Sequence, residues 1–282
     1  TAITIEADVI FPKYPSNSSN YAKNFPDLTS SIFGMDGVKY PTDADDMTWP
    51  DVNVSSSLQV YAIRKERQTL NDNPEVFFML SGSMLSSPIT SSVYTDVYDN
   101  SKWKLALRLR HNAQDAGLDL VSGSLTNDTI YAELFGMNVI ADSVIHQFNV
   151  TGTLLEASKY GPFVEPKRIY CGARRTNFTG SLLNKSDVFA SNIRYWNSYL
   201  NNEVLSYHAK NDASYGTEHP YQNTYLLEGK DTTGLSTIEM PQISSLALNW
   251  SLEEVTGSDS SGRFIVTDFS SGSNSHSDYK LS

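Results

Sequence analysis

Glu6 and Asp8 come nearest to chemistry by type and spacing, since two carboxylates two positions apart on a strand share one face. Carboxyl groups held close together split their pKa values, so that one serves as acid and the other as base or nucleophile in glycoside cleavage. No third acid follows in register, and two acids on a water-facing strand face are ordinary. The pair therefore reads as solvated surface and the chain as a non-enzyme. Glycan cleavage stands third among the readings, and it requires Glu6 and Asp8 to line a groove.

The other reactive types are scattered. His111, His146, His208, His219 and His276 show no metal-binding spacing, so each reads as a surface or cap residue. There is no Gly-x-Ser-x-Gly elbow and no phosphate-cradling glycine loop. Cys171 is the only cysteine, which excludes an intrachain disulfide and a cysteine zinc site; its apolar neighbours predict an inert buried thiol. Asp43, Asp45, Asp46 and Asp51 cluster in a loop. They read as a solvated acidic turn, with Ca²⁺ on Asp43, Asp45 and Asp46 as the alternative, because Ca²⁺ takes hard oxygen ligands. No other cofactor is expected. Lys167, Arg168, Arg174 and Arg175 form the compact basic group, read as lining a strand end or else steering an acidic neighbour. Tyr215, Tyr221 and Tyr225 offer rigid area with a polar tip, which suits protein contact and sugar stacking equally.

Composition narrows the partners. A net charge of −11 and a pI near 4.8 repel phosphate, so nucleic acid is not expected. No apolar run reaches the length of a membrane helix. The hydrophobic fraction is only 39%, but 16 Tyr and 12 Phe can build a core from few large side chains. Abundant Ser, Thr and Asn favour turns and strand surfaces over helices. Asn17, Asn53, Asn127, Asn149, Asn177, Asn184 and Asn249 each begin Asn-x-Ser/Thr, which in so Asn- and Ser-rich a chain is little above chance and does not imply a glycoprotein.

The elements that must position these residues are strands. Ile3, Ile5, Ala7, Val9 and Phe11 fall on one face with Thr4, Glu6 and Asp8 opposite. Leu58, Val60 and Ala62 repeat the pattern, and Val76–Leu80 is an apolar run that reads as a central strand. Trp103, Leu105, Leu107 and Leu109 alternate with Lys104, Arg108 and Arg110, predicting a strand with one wet face. Further strands are expected at 129–135, 138–142, 144–150, 168–173 and 187–196, with a short turn at Arg64–Leu70 and an Asn-capped helix at 201–209. Tyr195 and Trp196 lie on opposite faces of one strand, which predicts one in the core and one exposed. Many short strands punctuated by turns make an all-β, antiparallel two-sheet sandwich with an irregular C-terminal extension.

In their order these segments resemble the laminin G-like, or concanavalin A-like, jelly-roll family. The resemblance rests on Thr4–Pro12, on Asn100–Arg108 with its strand tryptophan, and on Ile130–Ile140, where Gly136 matches a hairpin turn. It rests also on Ile169–Ala173 and, most specifically, on Phe178–Leu183 followed by Ser191–Leu200. It covers roughly 1–210, and weakly 244–270. It implies a lectin-like sandwich, a family that includes β-glucan hydrolases and often holds Ca²⁺ at loop edges. It implies also a virion or extracellular setting, with a phage or other virus as the favoured source.

The ends carry a further expectation. The chain reads as entering inside one sandwich (1–210), crossing a connector (211–243) and ending in a β segment that resembles the start of another (244–282). Such phasing fits tandem modules or strand exchange, with protein partners or further copies of itself. Leu246–Leu252 or Phe264–Val266 is expected to pair with a sheet edge, in its own chain or in a neighbour. The function expected is a structural or adhesion module of a large viral or extracellular assembly; the alternative is a carbohydrate-binding, lectin-like module.

Overall fold

The computed structural model describes residues 2–13, 28–38, 52–65, 74–111, 129–155, 161–164, 167–175, 181–211, 245–252, 257–258, 264–270 and 278–281. The chain is all-β, with two antiparallel sheets facing each other. The larger has six strands in the order β13-β12-β1-β6-β7-β8: Leu246–Ser251, Phe189–Trp196, Ala2–Ile10, Lys102–His111, Ile130–Ile140 and Ser143–Thr153. The smaller has five in the order β5-β4-β3-β2-β9: Ile89–Tyr94, Val76–Ser81, Val52–Arg64, Thr29–Val38 and Lys167–Cys171. A short hairpin, β10 (Arg174–Arg175) with β11 (Leu182–Asn184), and a small sheet of β14 (Gly257–Ser258), β15 (Phe264–Thr267) and β16 (Asp278–Leu281) complete it.

Period-two alternation builds the core between the two sheets. Ile3, Ile5, Ala7 and Val9 of β1 point inward beside Trp103, Leu105, Leu107 and Leu109 of β6. Leu58, Val60, Val76, Phe78 and Leu80 meet them from the facing sheet. Phe78 sits at the centre of an aromatic group, with ring centroids 4.8 Å from Trp103, 5.5 Å from Phe148 and 5.8 Å from Phe11. Burying so many rings gives a chain poor in aliphatic residues its apolar payload.

Helix α1 (Asn202–Lys210) forms where expected. Asn201 caps it by accepting from the Val204 N–H at 2.9 Å, and Glu203 and Lys210 suit the two ends of its dipole. Its buried residues are Val204, Leu205, His208 and Ala209. They join Ala106, Phe135, Met137, Trp196 and Leu200 in a second apolar cluster on the outer side of the large sheet. This layer corrects two expectations. Tyr195 and Trp196 are both buried, one in each cluster, and the far faces of β1 and β6 are not wet.

The β7–β8 hairpin corrects a third. Its turn falls at Ala141 and Asp142, whose φ values of 46° and 64° are left-handed, and not at Gly136. Gly136 lies inside β7 because a Cβ there would run into the Phe148 ring. Leu246–Ser251 pairs with the β12 edge of its own chain, from Trp196↔Leu246 to Asn192↔Ser251, with a register shift between Tyr195 and Trp196. The short turn expected at Arg64–Leu70 lies outside the described residues beyond Lys65, as does nearly all of the 211–243 connector.

Candidate functional site

The outer face of the large sheet holds a sealed network of charge. Glu6 and Asp8 on β1 stand between β6 and β12, and the register sets Glu6 beside Ala106 and Arg194, Asp8 beside Lys104 and Asn192. Lys104 Nζ lies 2.6 Å from Asp8 Oδ2 and 3.2 Å from Glu6 Oε2. The Trp196 indole N–H donates to Glu6 Oε1 at 3.0 Å, and Arg194 Nη1 is 3.7 Å from the same oxygen. His208 of α1 closes the set, with Nδ1 3.0 Å from Glu6 Oε2. A carboxylate only accepts, so Nδ1 carries the proton. Glu6 is 1% exposed, and Asp8 and His208 are each 0% exposed.

Burial and pairing pull these groups in opposite directions. Burial pushes the Glu6 carboxyl up, but His208, Lys104 and Arg194 together hold it well below the usual carboxylate range. Burial pushes the Lys104 ammonium down, and Asp8 and Glu6 more than restore it, leaving it raised. One layer along, Arg108 Nη2 reaches Glu133 Oε2 at 2.8 Å, and Arg110 pairs with the other Glu133 oxygen. Arg108 also donates to the Leu200 carbonyl at 2.9 Å and to Asn149 Oδ1 at 3.0 Å, which ties β8 and the α1 approach to the sheet. Tyr199 donates to Glu133 at 2.9 Å, and burial pushes its phenol up to about 12. Thr4 completes the row, donating to the Ser198 carbonyl and accepting from the Leu200 N–H.

Glu6 and Asp8 are expected on a wet face and His208 as a surface or cap residue; all three are buried partners instead. Ion pairing, not solvent, offsets their charge. Two ionised carboxylates that share one ammonium and have no path to water line no groove.

The small sheet carries a second polar layer. Arg174 of β10 reaches Asp36 Oδ1 at 2.9 Å, where Gln59 Nε2 also donates at 3.3 Å. Burial raises the Asp36 carboxyl further than Arg174 lowers it. Arg64 pairs with Asp187 at 2.8 Å, and Tyr98 donates to the same carboxylate at 3.0 Å. The basic group thus turns partly inward: Arg168 is 9% exposed and Arg174 serves Asp36. Cys171 is partly covered and packs on the core, and burial pushes its thiol up to about 12, which keeps it unreactive at neutral pH.

Among the described residues one group of exposed apolar side chains lies at the β7–β8 hairpin and the neighbouring β5. β5 and β8 (Ser143–Thr153) have, among the described residues, no strand on their outer edges, though just past β8 Leu154 bridges Leu85 and the Leu155 N–H donates to the Met84 carbonyl at 2.8 Å; β5 and β8 lie near each other across the sheets. Ile140, Val144 and Ile145 are 50%, 42% and 46% exposed at the hairpin tip, with Val93 of β5 at 40%. From Ser143 to Thr153 the strand has no Asp, Glu, Lys or Arg. Its single titratable residue, His146, is 2.7 Å from Asp96 and stacks on Trp103 at 5.9 Å and near Tyr94 at 4.9 Å.

Asp43, Asp45, Asp46, Tyr215, Tyr221 and Tyr225 lie outside the described residues. Among the described residues no three His, Cys, Asp or Glu side chains gather as metal ligands, and no helix is long and apolar enough to cross a membrane. The comparisons leave the geometry to speak alone. No protein family, curated protein or solved structure matches the chain. The missed residues are Lys104, Glu133, Arg194 and His208, and a signal for them existed: Ala106, Phe135, Met137 and Trp196 put apolar bulk on strand faces otherwise read as wet.

Proposed function

We propose that this chain is a non-enzymatic structural or adhesion module of a large viral or extracellular assembly, acting through protein–protein contacts. The observation that carries this reading is the open side of the sandwich. An uncharged edge strand of 11 residues, with exposed Ile140, Val144 and Ile145 at its tip, is an adhesive surface that soluble proteins ordinarily blunt with charge. The buried charge networks favour the same reading, because they spend the acids and bases on holding the fold and not on a cleft. Likeness to laminin G-like sandwiches, read in the sequence, supports it from another direction.

A carbohydrate-binding module is the second reading. Tyr94, His146 and Asp96 favour it, as rings beside a carboxylate on the open side. It ranks lower because Trp103, the largest ring of the group, is wholly buried and offers a sugar no face.

A photo-crosslinking residue at position 145, in chain added to the particle or matrix of its source, tests the choice. A discrete protein adduct is expected, with no signal on a glycan array. Glycan binding that disappears in His146→Ala, with no protein adduct, overturns the proposal.

A further inference from the structure

The free edge has a chemistry that selects its occupant. Resting on the assembly reading above, we infer that β8 pairs antiparallel with β8 of a second copy of this chain, joining two large sheets across a two-fold axis.

A two-fold places each strand against itself, so any charge on the outer row faces its own kind or lies one pair away. Such charges repel across an antiparallel pair. Of the four edges of the two main sheets only β9 meets this repulsion, and β8 is the longest of the other three. β9 begins Lys167-Arg168. β13 is uncharged, but it is bridged at Trp250 by Asp268 and packs against β15. β5 is uncharged but short, with a register shift between Phe77 and Met79 in its pairing with β4. β8 is the longest, and from Asn138↔His146 to Tyr131↔Thr153 its register on β7 runs without a break. The irregularity lies nearer the tip, between Asn138 and Val139, and leaves His146–Thr153 straight.

Exposed Val144 and Ile145 sit at the tip end of the strand. Past its other end Leu154 bridges Leu85 and the Leu155 N–H donates to the Met84 carbonyl at 2.8 Å, so the chain itself occupies the edge there. Antiparallel pairing centred near Asn149 or Val150 therefore runs over His146–Thr153, which that bridge leaves open. The middle of the outer row is Gln147, Asn149 and Thr151, neutral and able to hydrogen-bond with its own kind. Asn149 is already turned to Arg108, which keeps the centre of the strand rigid and ready to pair.

Charge also argues for a copy over a basic partner. The chain carries −11, yet β8 itself has no carboxylate, and the Asp96 carboxylate beside it already meets His146 at 2.7 Å. Two acidic copies repel at long range and gain only at the contact. Association should therefore strengthen with salt, whereas a joint made by ion pairs weakens.

Sedimentation equilibrium of the purified full chain is the test. A monomer–dimer equilibrium is expected, tighter at about 0.5 M than at about 0.05 M salt. Gln147→Lys/Thr151→Lys should weaken it by about tenfold or more, since lysines then face lysines across the joint. General electrostatics predicts the reverse, because added lysines reduce the net negative charge. Ala247→Lys on β13 should leave the equilibrium unchanged. In the unaltered chain, amide exchange over His146–Thr153 should slow as concentration rises, a readout that does not depend on any variant folding. A chain that stays monomeric at about 100 μM, well above the range of specific dimers, overturns the pairing. So does a dimer indifferent to both lysines. Either result leaves the assembly reading to its own crosslinking test, where another protein can occupy the edge.

Discussion

Glu6 and His208, 202 residues apart in the chain, meet at 3.0 Å with neither reaching water. That contact fastens α1 to the central strand of the large sheet and seals Lys104 and Asp8 beside it.

Glu6→Gln keeps the shape and loses the charge. Lys104, Arg194 and His208 are then left with Asp8 as the nearest carboxylate in the set. Removing one partner of a buried ion network costs about 3–5 kcal/mol. Urea denaturation should show a loss of that order at unchanged m-value; a loss below about 1 kcal/mol would mean that the network is looser than its geometry.

Acid should unfold the chain through the same residue. Glu6 titrates near about 4.3 when unfolded and well below that when folded, so the unfolded state binds its proton first. The stability Glu6 confers is complete above the unfolded value and is lost as pH falls through the folded one. Glu6→Gln should flatten that acid limb. Midpoints measured from pH 7 down to pH 3 check the sign.

Asp36 works in the other direction. Its carboxyl is raised in the fold, so the unfolded state releases the proton first and rising pH costs stability beyond about pH 4. Asp36→Asn should make the chain more stable at neutral pH than at pH 3, relative to the parent. If Asn instead destabilises more at neutral pH than at pH 3, the Arg174 pair outweighs burial and the sign assigned to Asp36 is wrong.

Gly136→Ala drives a methyl group into the Phe148 ring, in the aromatic group that also holds Phe78, Tyr94 and Trp103. Overpacking of this kind costs about 1–3 kcal/mol. Thermal unfolding and the near-UV signal of the ring cluster should both shift. A silent substitution would show that β7 and β8 can slide apart at no cost.

The inner half of this fold was legible because alternation reports which side chains are apolar. Ile3 to Val9 and Trp103 to Leu109 went to the core as read. The outer half was misread because alternation reports polarity, not solvent. Glu6 looks the same in sequence whether water or Lys104 neutralises it, and the helix that decides the matter follows two hundred residues later. Gly136 misled for a related reason: a glycine that admits a neighbouring ring and a glycine that turns a hairpin are the same letter. The edge strand β8 showed its period but not its exposure, which depends on where the sheet stops.

The strand order of the large sheet also sets a timetable. β1 is made before both of its neighbours: β6 and β12 end at residues 111 and 196, and β13 ends at residue 251. Glu6 and Asp8 are made about a hundred residues before Lys104 and about two hundred before Arg194 and His208, so the network closes in two stages. So large a share of distant pairings makes for slow closure. For that interval the acids that later anchor the interior keep the nascent segment hydrated, charged and separate from its neighbours on the polysome.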